Sequence, residues 1–564
     1  MSATTKNRFE FALLSFVLLA IAAWLMIRLS TVRPAILGDE WVYTMSSRHG
    51  ELWGLSPDPL GNFLFNTVYR STLLCGPEFY ACGKFLNLFF FIGFVVVVYL
   101  IARQIMDYRI AAMASTAIAL SPISVYVSMY LPESLYFFLL ALSTLFIFRA
   151  IQTDFRWDWL FSGLFLGLAA LTKPHALLTL IAFSIFVLVH RTASDSFRGF
   201  SVRVFSAILG FLLGRFLIGF LLAGPKAILI LNSYGLSNVV SSGAQSAVST
   251  SGSAQSSLFT AMISLFPNQF TIHSQASIAI VGSSIAILLT NLGFLLAGKR
   301  EKREAVSSFA LLVLIWLGVM MVAIVAFTGW ITGSGDDHTT RVLLRYYDFL
   351  FPIVFIAALG IATQLSRRSV HPLIRWLPAA VVLFVGTVAF TGSFASLTIQ
   401  IADAPNLAGL VVDRPVFDLV AILFVLALGL LAFFPRHLNY SLPIFVLLAF
   451  VSTGFQAQEQ YRNFRGQDSS ADVIGKLLYQ KYPREVREDI LIIATSRFDA
   501  RVASLWMDTN NELLLVTPGS MVPEQAVEGH PGILIMGDVS TDSSRYESAL
   551  TGDGYVLRMK DSAN

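Results

Sequence analysis

The chain has 564 residues, 55% hydrophobic and 13% charged, with a formal net charge of +4. Soluble globular chains carry about a quarter charged residues, so a soluble globular protein is excluded; the net charge itself says little about partners, because where charges lie matters more than their sum, and no nucleic-acid partner is expected. Apolar stretches recur at about the 20 residues that a membrane-spanning helix needs, which defines an α-helical polytopic membrane protein.

Lys6 and Arg8 precede an apolar run from Phe11 to Ile27. It is longer than a signal-peptide core and no small-x-small cleavage site closes it, so it reads as a retained first span starting in the cytoplasm. Further spans are expected near 85–102, 109–128, 133–149, 158–172, 175–190, 203–223, 276–297, 308–328, 349–364, 377–398, 416–434 and 441–457. With 11–30 that makes about thirteen transmembrane helices. The loops expected inside carry Arg103, Arg109, Arg149, Arg156, Arg191, Arg198, the stretch "GKREKRE" at 298–304, Arg367, Arg368, Arg375 and Arg436. The short outer loops are poorer in Lys and Arg. This bias places the N-terminus inside and, with an odd span count, the C-terminal tail outside.

Two outer loops are long. Residues 31–84 hold "ILGDEWVYTMSSR" at 36–48, and residues 224–275 are rich in Ser, Gly and Ala, which predicts a mobile loop. Cys75 and Cys82 lie in the first. They could pair in an oxidising compartment, although two lone thiols are the preferred reading. From 459 to 564 the chain turns polar, with short β-like runs at 489–495, 512–517, 532–537 and 555–559. Helical patterns between them, such as 470–482, predict a small extracytoplasmic α/β domain with a partly parallel sheet. It has no phosphate-binding glycine loop, so a structural or acceptor-docking cap is preferred over a second active site. The transmembrane part is then 1–458.

Ionisable groups near membrane depth are costly and often functional. Asp39 and Glu40 open a helical pattern, where Gly38-Asp39 could be a simple N-cap. Adjacent helical residues point about 100° apart, so one of the two acids faces any given site. Asp39 shares a face with Tyr43. Glu133 follows Pro132, fitting the positive end of a helix, or it converges on Asp39 to orient a hydroxyl or bind a divalent cation. Asp58 in the first loop is a second acceptor or metal candidate. Arg341 and Arg345 are four apart and would point the same way on a helix. A guanidinium fork suits phosphate oxygens, and interfacial snorkelling is the other reading. Lys173 in "LTKPHA" is a phosphate contact or a snorkelling lysine.

Several stretches resemble the GT-C superfamily of polyprenyl-phosphate-dependent glycosyltransferases. Nearest are the bacterial lipid A aminoarabinose transferases and the protein O-mannosyltransferase-like enzymes. "GDEWVYTMSSR" is similar to the acidic motif of their first outer loop, "LPESLYFFLLAL" to the start of their fourth span, "GLFLGLAALTKPHALL" to the fifth-to-sixth junction and "RYYDFLFP" to an Arg-Tyr…Pro motif. The aminoarabinose transferases have a lysine before the Pro turn of the first loop, where this chain reads Pro57-Asp58-Pro59.

The resemblance implies an inverting transfer of a sugar from a polyprenyl-phosphate donor to an acceptor hydroxyl on the extracytoplasmic side. It points to Asp39 as general base, with Glu40 as the alternate, and to Arg341, Arg345 and Lys173 on the donor phosphate. Glu133 and Asp58 would hold the acceptor. The only cofactor considered is a divalent metal ion on Asp39 and Glu133. The partners are the lipid-linked sugar, membrane lipid, and a glycan, lipid or protein acceptor. A bacterial inner membrane is the expected location. The competing expectations are a flippase of lipid-linked sugars and a non-catalytic envelope-assembly scaffold.

Overall fold

A computed structural model describes residues 3–35, 37–54, 61–190, 197–228, 253–297, 304–333, 340–367, 370–541 and 546–560. The bundle contains α1 (Ala3–Leu29), α2 (Leu37–His49), α3 (Phe63–Tyr69), α4 (Phe79–Arg103), α5 (Tyr108–Ala119), α6 (Glu133–Thr153), α7 (Arg156–Thr172), α8 (Ala176–His190), α9 (Phe197–Leu212) and α10 (Ile218–Ala223). It continues through α11 (Ser253–Ala297), α12 (Ala305–Gly333), α13 (Leu350–Leu365), α14 (Pro372–Val388), α15 (Pro405–Val411), α16 (Arg414–Phe433) and α17 (Leu438–Arg465). Each of the thirteen expected spans coincides with a helix. Among the described residues, nine helices are long and apolar enough to cross a membrane, or ten if the bent pair Tyr108–Ala119 and Pro122–Ser128 is one span. Helices α7, α8 and α13 are shorter, at 17, 15 and 16 residues. The chain is a polytopic membrane protein.

Packing between spans relies on small residues, because lipid gives apolar side chains no reason to prefer each other. Helices α7 and α9 cross where Gly163 and Gly210 let backbones meet. A Cβ on Gly163 would collide with the Ala207 carbonyl oxygen, and one on Gly210 with that of Leu160.

The long mobile loop expected at 224–275 is corrected in part. Residues 229–252 lie outside the described residues, but α11 starts at Ser253, well before the expected span. The polar residues at its start had masked a continuous helical stretch. The lone-thiol expectation is also overturned, because Cys75 and Cys82 form a disulfide. The turn Arg70–Glu78 reverses at Gly76, whose φ of +53° a side chain would resist, and this brings the two sulfurs together.

The tail holds α18 (Ser470–Lys481), α19 (Arg484–Glu488) and α20 (Arg497–Met507). Its strands are β1 (Ile490–Ala494), β2 (Leu513–Leu515), β3 (Ser520–Val522), β4 (Gly532–Met536), β5 (Val539–Thr541), β6 (Tyr546–Gly552) and β7 (Tyr555–Lys560). The main sheet runs β2-β1-β4-β7-β6, with β2, β1 and β4 parallel and β7 and β6 antiparallel. Strands β1 and β4 are buried along their whole length, so they read as unbroken apolar runs rather than alternating ones.

The tail is fastened to the first outer loop. Arg465 at the end of α17 donates to the Pro34 carbonyl at 2.6 Å and pairs with Asp472. Arg48 of α2 grips Asp508 with two hydrogen bonds of 2.8 and 2.6 Å, and His49 adds a third contact at 2.8 Å. Trp41 donates to Ser504 at 3.2 Å, beneath the guanidinium of Arg501. Helix α2 is thereby held between tail and bundle, which fixes its rotation.

Candidate active site

That rotation separates the two acids of "GDEW". Neither is the residue that caps α2, since the helix begins at Leu37 and both lie in its first turn. Glu40 points into the protein and has no exposed surface. Its Oε1 accepts from the Tyr80 hydroxyl at 2.7 Å and the Tyr130 amide at 2.8 Å, and its Oε2 accepts from the Ala35 amide at 2.7 Å. It therefore joins the start of α2 to α4 and to the 129–131 turn. Asp39 points the other way and pairs with the Arg345 guanidinium. Its side chain keeps 39% of its surface open. Burial pushes the Asp39 carboxyl up, but Arg345, with Lys173 and Arg341 farther off, holds it below the usual carboxylate range.

The arginines do not lie on one helix as expected. Arg341 sits in an extended bridge to Thr398, and Arg345 sits in the short turn Leu344–Tyr346. They converge because both reach Asp403. Arg341 contacts its Oδ2 at 2.5 and 2.6 Å, and Arg345 lies 3.5 Å from its Oδ1. The Arg345 amide also donates to the Asp403 carbonyl at 2.7 Å. Asp403 is 1% exposed and comes from the segment preceding α15. Sequence reading did not single it out. Its signal was positional: a carboxylate in a short loop, 399–415, on the same outer side as the two arginines.

Lys173, just past α7, pairs with Glu133 at the start of α6 at 2.8 Å, and both are buried. The ammonium lies over the rings of Tyr346 at 5.4 Å and Tyr136 at 5.8 Å. Glu133 Oε2 is buried without a hydrogen-bond partner among the described residues. Glu133 pairs with Lys173 and Asp39 with Arg345, so the two acids are held by different cations. Asp348 is wholly buried and accepts from the Tyr126 hydroxyl at 2.9 Å. Asp58 lies outside the described residues.

Three cations thus face three carboxylates, and of Asp39, Glu40, Glu133, Asp348 and Asp403 the first alone is more than 1% exposed. No group of three His, Cys, Asp or Glu side chains converges to hold a metal among the described residues. Asp39 and Glu133 are each engaged by a cation, Arg345 and Lys173 respectively.

Residues 85–218 match the family model described as dolichyl-phosphate-mannose-protein mannosyltransferase. Comparison with the curated proteins gives no match. Among solved structures, the chain is similar to ArnT from Cupriavidus metallidurans bound to undecaprenyl phosphate, with a TM-score of 0.52 and 15% identity, covering 100% of this chain and 99% of that one. It also matches the apo state of that ArnT, with a TM-score of 0.47 and 14% identity over 99% and 98% of the two chains. The archaeal oligosaccharyltransferase AglB from Archaeoglobus fulgidus, in complex with an inhibitory peptide and a dolichol-phosphate, matches with a TM-score of 0.48 and 13% identity over 94% of this chain and 70% of that one. The full-length likeness to the first shows that the chain shares the fold of that protein.

Proposed function

We propose that the protein is an integral-membrane glycosyltransferase that moves a hexose or pentose from a polyprenyl-phosphate donor to an acceptor hydroxyl, with inversion. The observation that carries this reading is the Asp39–Arg345 pair: one accessible carboxylate held below the usual carboxylate range beside a guanidinium, whose fork suits phosphate oxygens. The GT-C fold and the mannosyltransferase match over 85–218 support it.

The acceptor oxygen attacks the anomeric carbon as the carbon–oxygen bond to the phosphate breaks. The hydroxyl proton passes to Asp39, and the bonding pair leaves with the lipid phosphate. Asp39 suits the base role because the other acids are buried on fixed partners. Arg345 can leave Asp39 for an arriving phosphate because that contact faces the open side, whereas Lys173–Glu133 is enclosed. Phosphate capture by Arg345, with Arg341 and Lys173 behind it, would relieve the hold on Asp39 and raise its basicity as the donor seats. Glu133 keeps Lys173 in place and offers its unpaired oxygen to the acceptor. No step is routed through a metal.

The site belongs on the extracytoplasmic side. The Arg and Lys bias of the alternate loops supports this, as does the Cys75–Cys82 disulfide, since disulfides persist in oxidising compartments. A bacterial inner membrane with a cytoplasmic N-terminus and a periplasmic tail fits both. Incubating the purified protein with a radiolabelled polyprenyl-phosphate sugar and a mixed acceptor extract tests the reaction. Covalent label transfer, lost in Asp39→Asn, is expected. Transport of the intact donor across vesicles without transfer would overturn the enzyme reading.

A further inference from the structure

A pocket lies at the seam between the tail and the first outer loop, away from the Asp39–Arg345 pair. Its volume is about 250 Å³. Tyr80 forms part of its wall, and the Tyr80 hydroxyl donating to Glu40 separates it from the candidate active site.

Three cations line this pocket: Arg33, Lys84 and Lys476. Arg33 and Lys476 share one carboxylate, Asp468, at 2.5 and 2.7 Å. Lys84 is buried and donates to the carbonyls of Leu29, Ser30 and Val32, at 3.1, 3.1 and 2.6 Å. The exposed Glu78 is the only other acid on the wall. Counting Asp468, three basic side chains meet two carboxylates here, and Arg33 and Lys476 are the partly exposed cations. Lys476 rests over the Trp506 ring at 4.5 Å, which holds its ammonium toward the opening.

The pocket's depth indicates what it meets. Ser30 directly follows α1, and Ala81 and Lys84 belong to the first turns of α4, so it opens where two spans leave the membrane. Farther along the same helices Ile27, Phe85 and Phe89 are exposed, at 78%, 61% and 64%. Ala81, Phe85 and Phe89 are spaced four apart, so they form one stripe leading down from the pocket.

We propose that this pocket binds the phosphate headgroup of an anionic outer-leaflet lipid, whose acyl chains lie along Ile27, Phe85 and Phe89. The headgroup phosphate would take Arg33 and Lys476 from Asp468, with Lys84 beneath. A lipid bound here would join α1, α4 and α18, and so would brace the tail against the membrane. This inference is independent of the transfer chemistry.

Native mass spectrometry of the full-length protein tests it, counting phosphatidylglycerol and phosphatidylcholine retained from equal mixtures. Phosphatidylglycerol should be retained preferentially. Each basic residue near an anionic lipid surface contributes roughly fivefold in affinity, so the double variant Arg33→Gln/Lys476→Gln should lose phosphatidylglycerol by more than tenfold. Asp468→Asn, which removes the competing carboxylate, should raise retention several-fold. Should the double variant fail to fold, Asp468→Asn decides alone, and unchanged or weaker retention overturns the proposal. Equal retention of the two lipids overturns it as well. In a parallel arm, binding of glycerol 3-phosphate with no lipid retained would assign the pocket to a soluble phosphate and overturn the lipid reading.

Discussion

Arg345 and Asp39 meet across 306 positions of sequence, and Arg345 reaches Asp403 from the same guanidinium. One cation is shared between an open carboxylate and a buried one. The guanidinium hydrogen-bonds Asp39, whereas the Asp403 carboxylate lies 3.5 Å away and Asp403 holds Arg345 mainly through the Arg345 backbone amide, so the side chain can turn while its backbone stays fixed.

The pH dependence of activity should report that relationship. Burial alone would raise the Asp39 carboxyl, and Arg345 reverses the effect. The wild-type acid limb therefore lies below the ordinary carboxylate range of about 4. In Arg345→Gln the carboxyl loses its partner, so the acid limb of kcat/KM should move to higher pH while the rate falls. An acid limb that stays in place would remove Asp39 from the base role.

Asp39 and Glu40 should behave in opposite ways. Asp39→Asn should cost about 10²–10⁴ in kcat, the usual range for a general base, with thermal stability preserved. Glu40→Gln removes one acceptor from a network of three hydrogen bonds in a fully buried place. It should cost about 1–3 kcal/mol of stability, the range for a buried group left unsatisfied. Melting and turnover measured on both variants separate the two roles.

Glu133 and Lys173 form a buried pair whose halves depend on each other. Glu133→Gln leaves an uncompensated ammonium beneath Tyr346, at a cost of about 3–5 kcal/mol. The double variant Glu133→Gln/Lys173→Met should regain much of that stability but none of the activity. A double variant no more stable than the single one would mean that the pair is not energetically coupled.

The Arg48–Asp508 clamp sets a pH window for tail attachment. Burial raises the Asp508 carboxyl, but the Arg48 and His49 contacts bring it below its ordinary value. A carboxylate with a depressed folded pKa stabilises above its unfolded value, and the contribution is lost as pH falls through the folded one. The clamp should therefore hold at pH 5–8 and weaken only below about pH 4. Asp508→Asn should loosen it at every pH. Limited proteolysis between tail and bundle, followed across pH, reads both effects; tail release in the wild type near pH 6 would contradict the assignment.

Span positions and strands were legible because both are local patterns. A run of apolar residues is self-evident, and all thirteen expected segments hold a helix. The parallel core of the tail showed in the unbroken runs of β1 and β4. The start of α11 was hidden because polar residues there resemble a loop. The disulfide was hidden because pairing depends on the reversal at Gly76 rather than on the spacing of two cysteines.

The sequence alone determined a polytopic helical membrane protein with a mixed tail, and it located Asp39, Glu133, Lys173, Arg341 and Arg345 on one side of the membrane. Hydropathy and charge bias act through the bilayer, so they are written along the chain. Only the tertiary structure decided which acid of "GDEW" meets Arg345, because that depends on the rotation of α2, which contacts of Arg48 and Trp41 with the tail hold. It also decided that Arg341 and Arg345 are joined through Asp403 rather than by helical spacing. Contacts between residues this far apart carry no local pattern, since they exist only once the spans have packed.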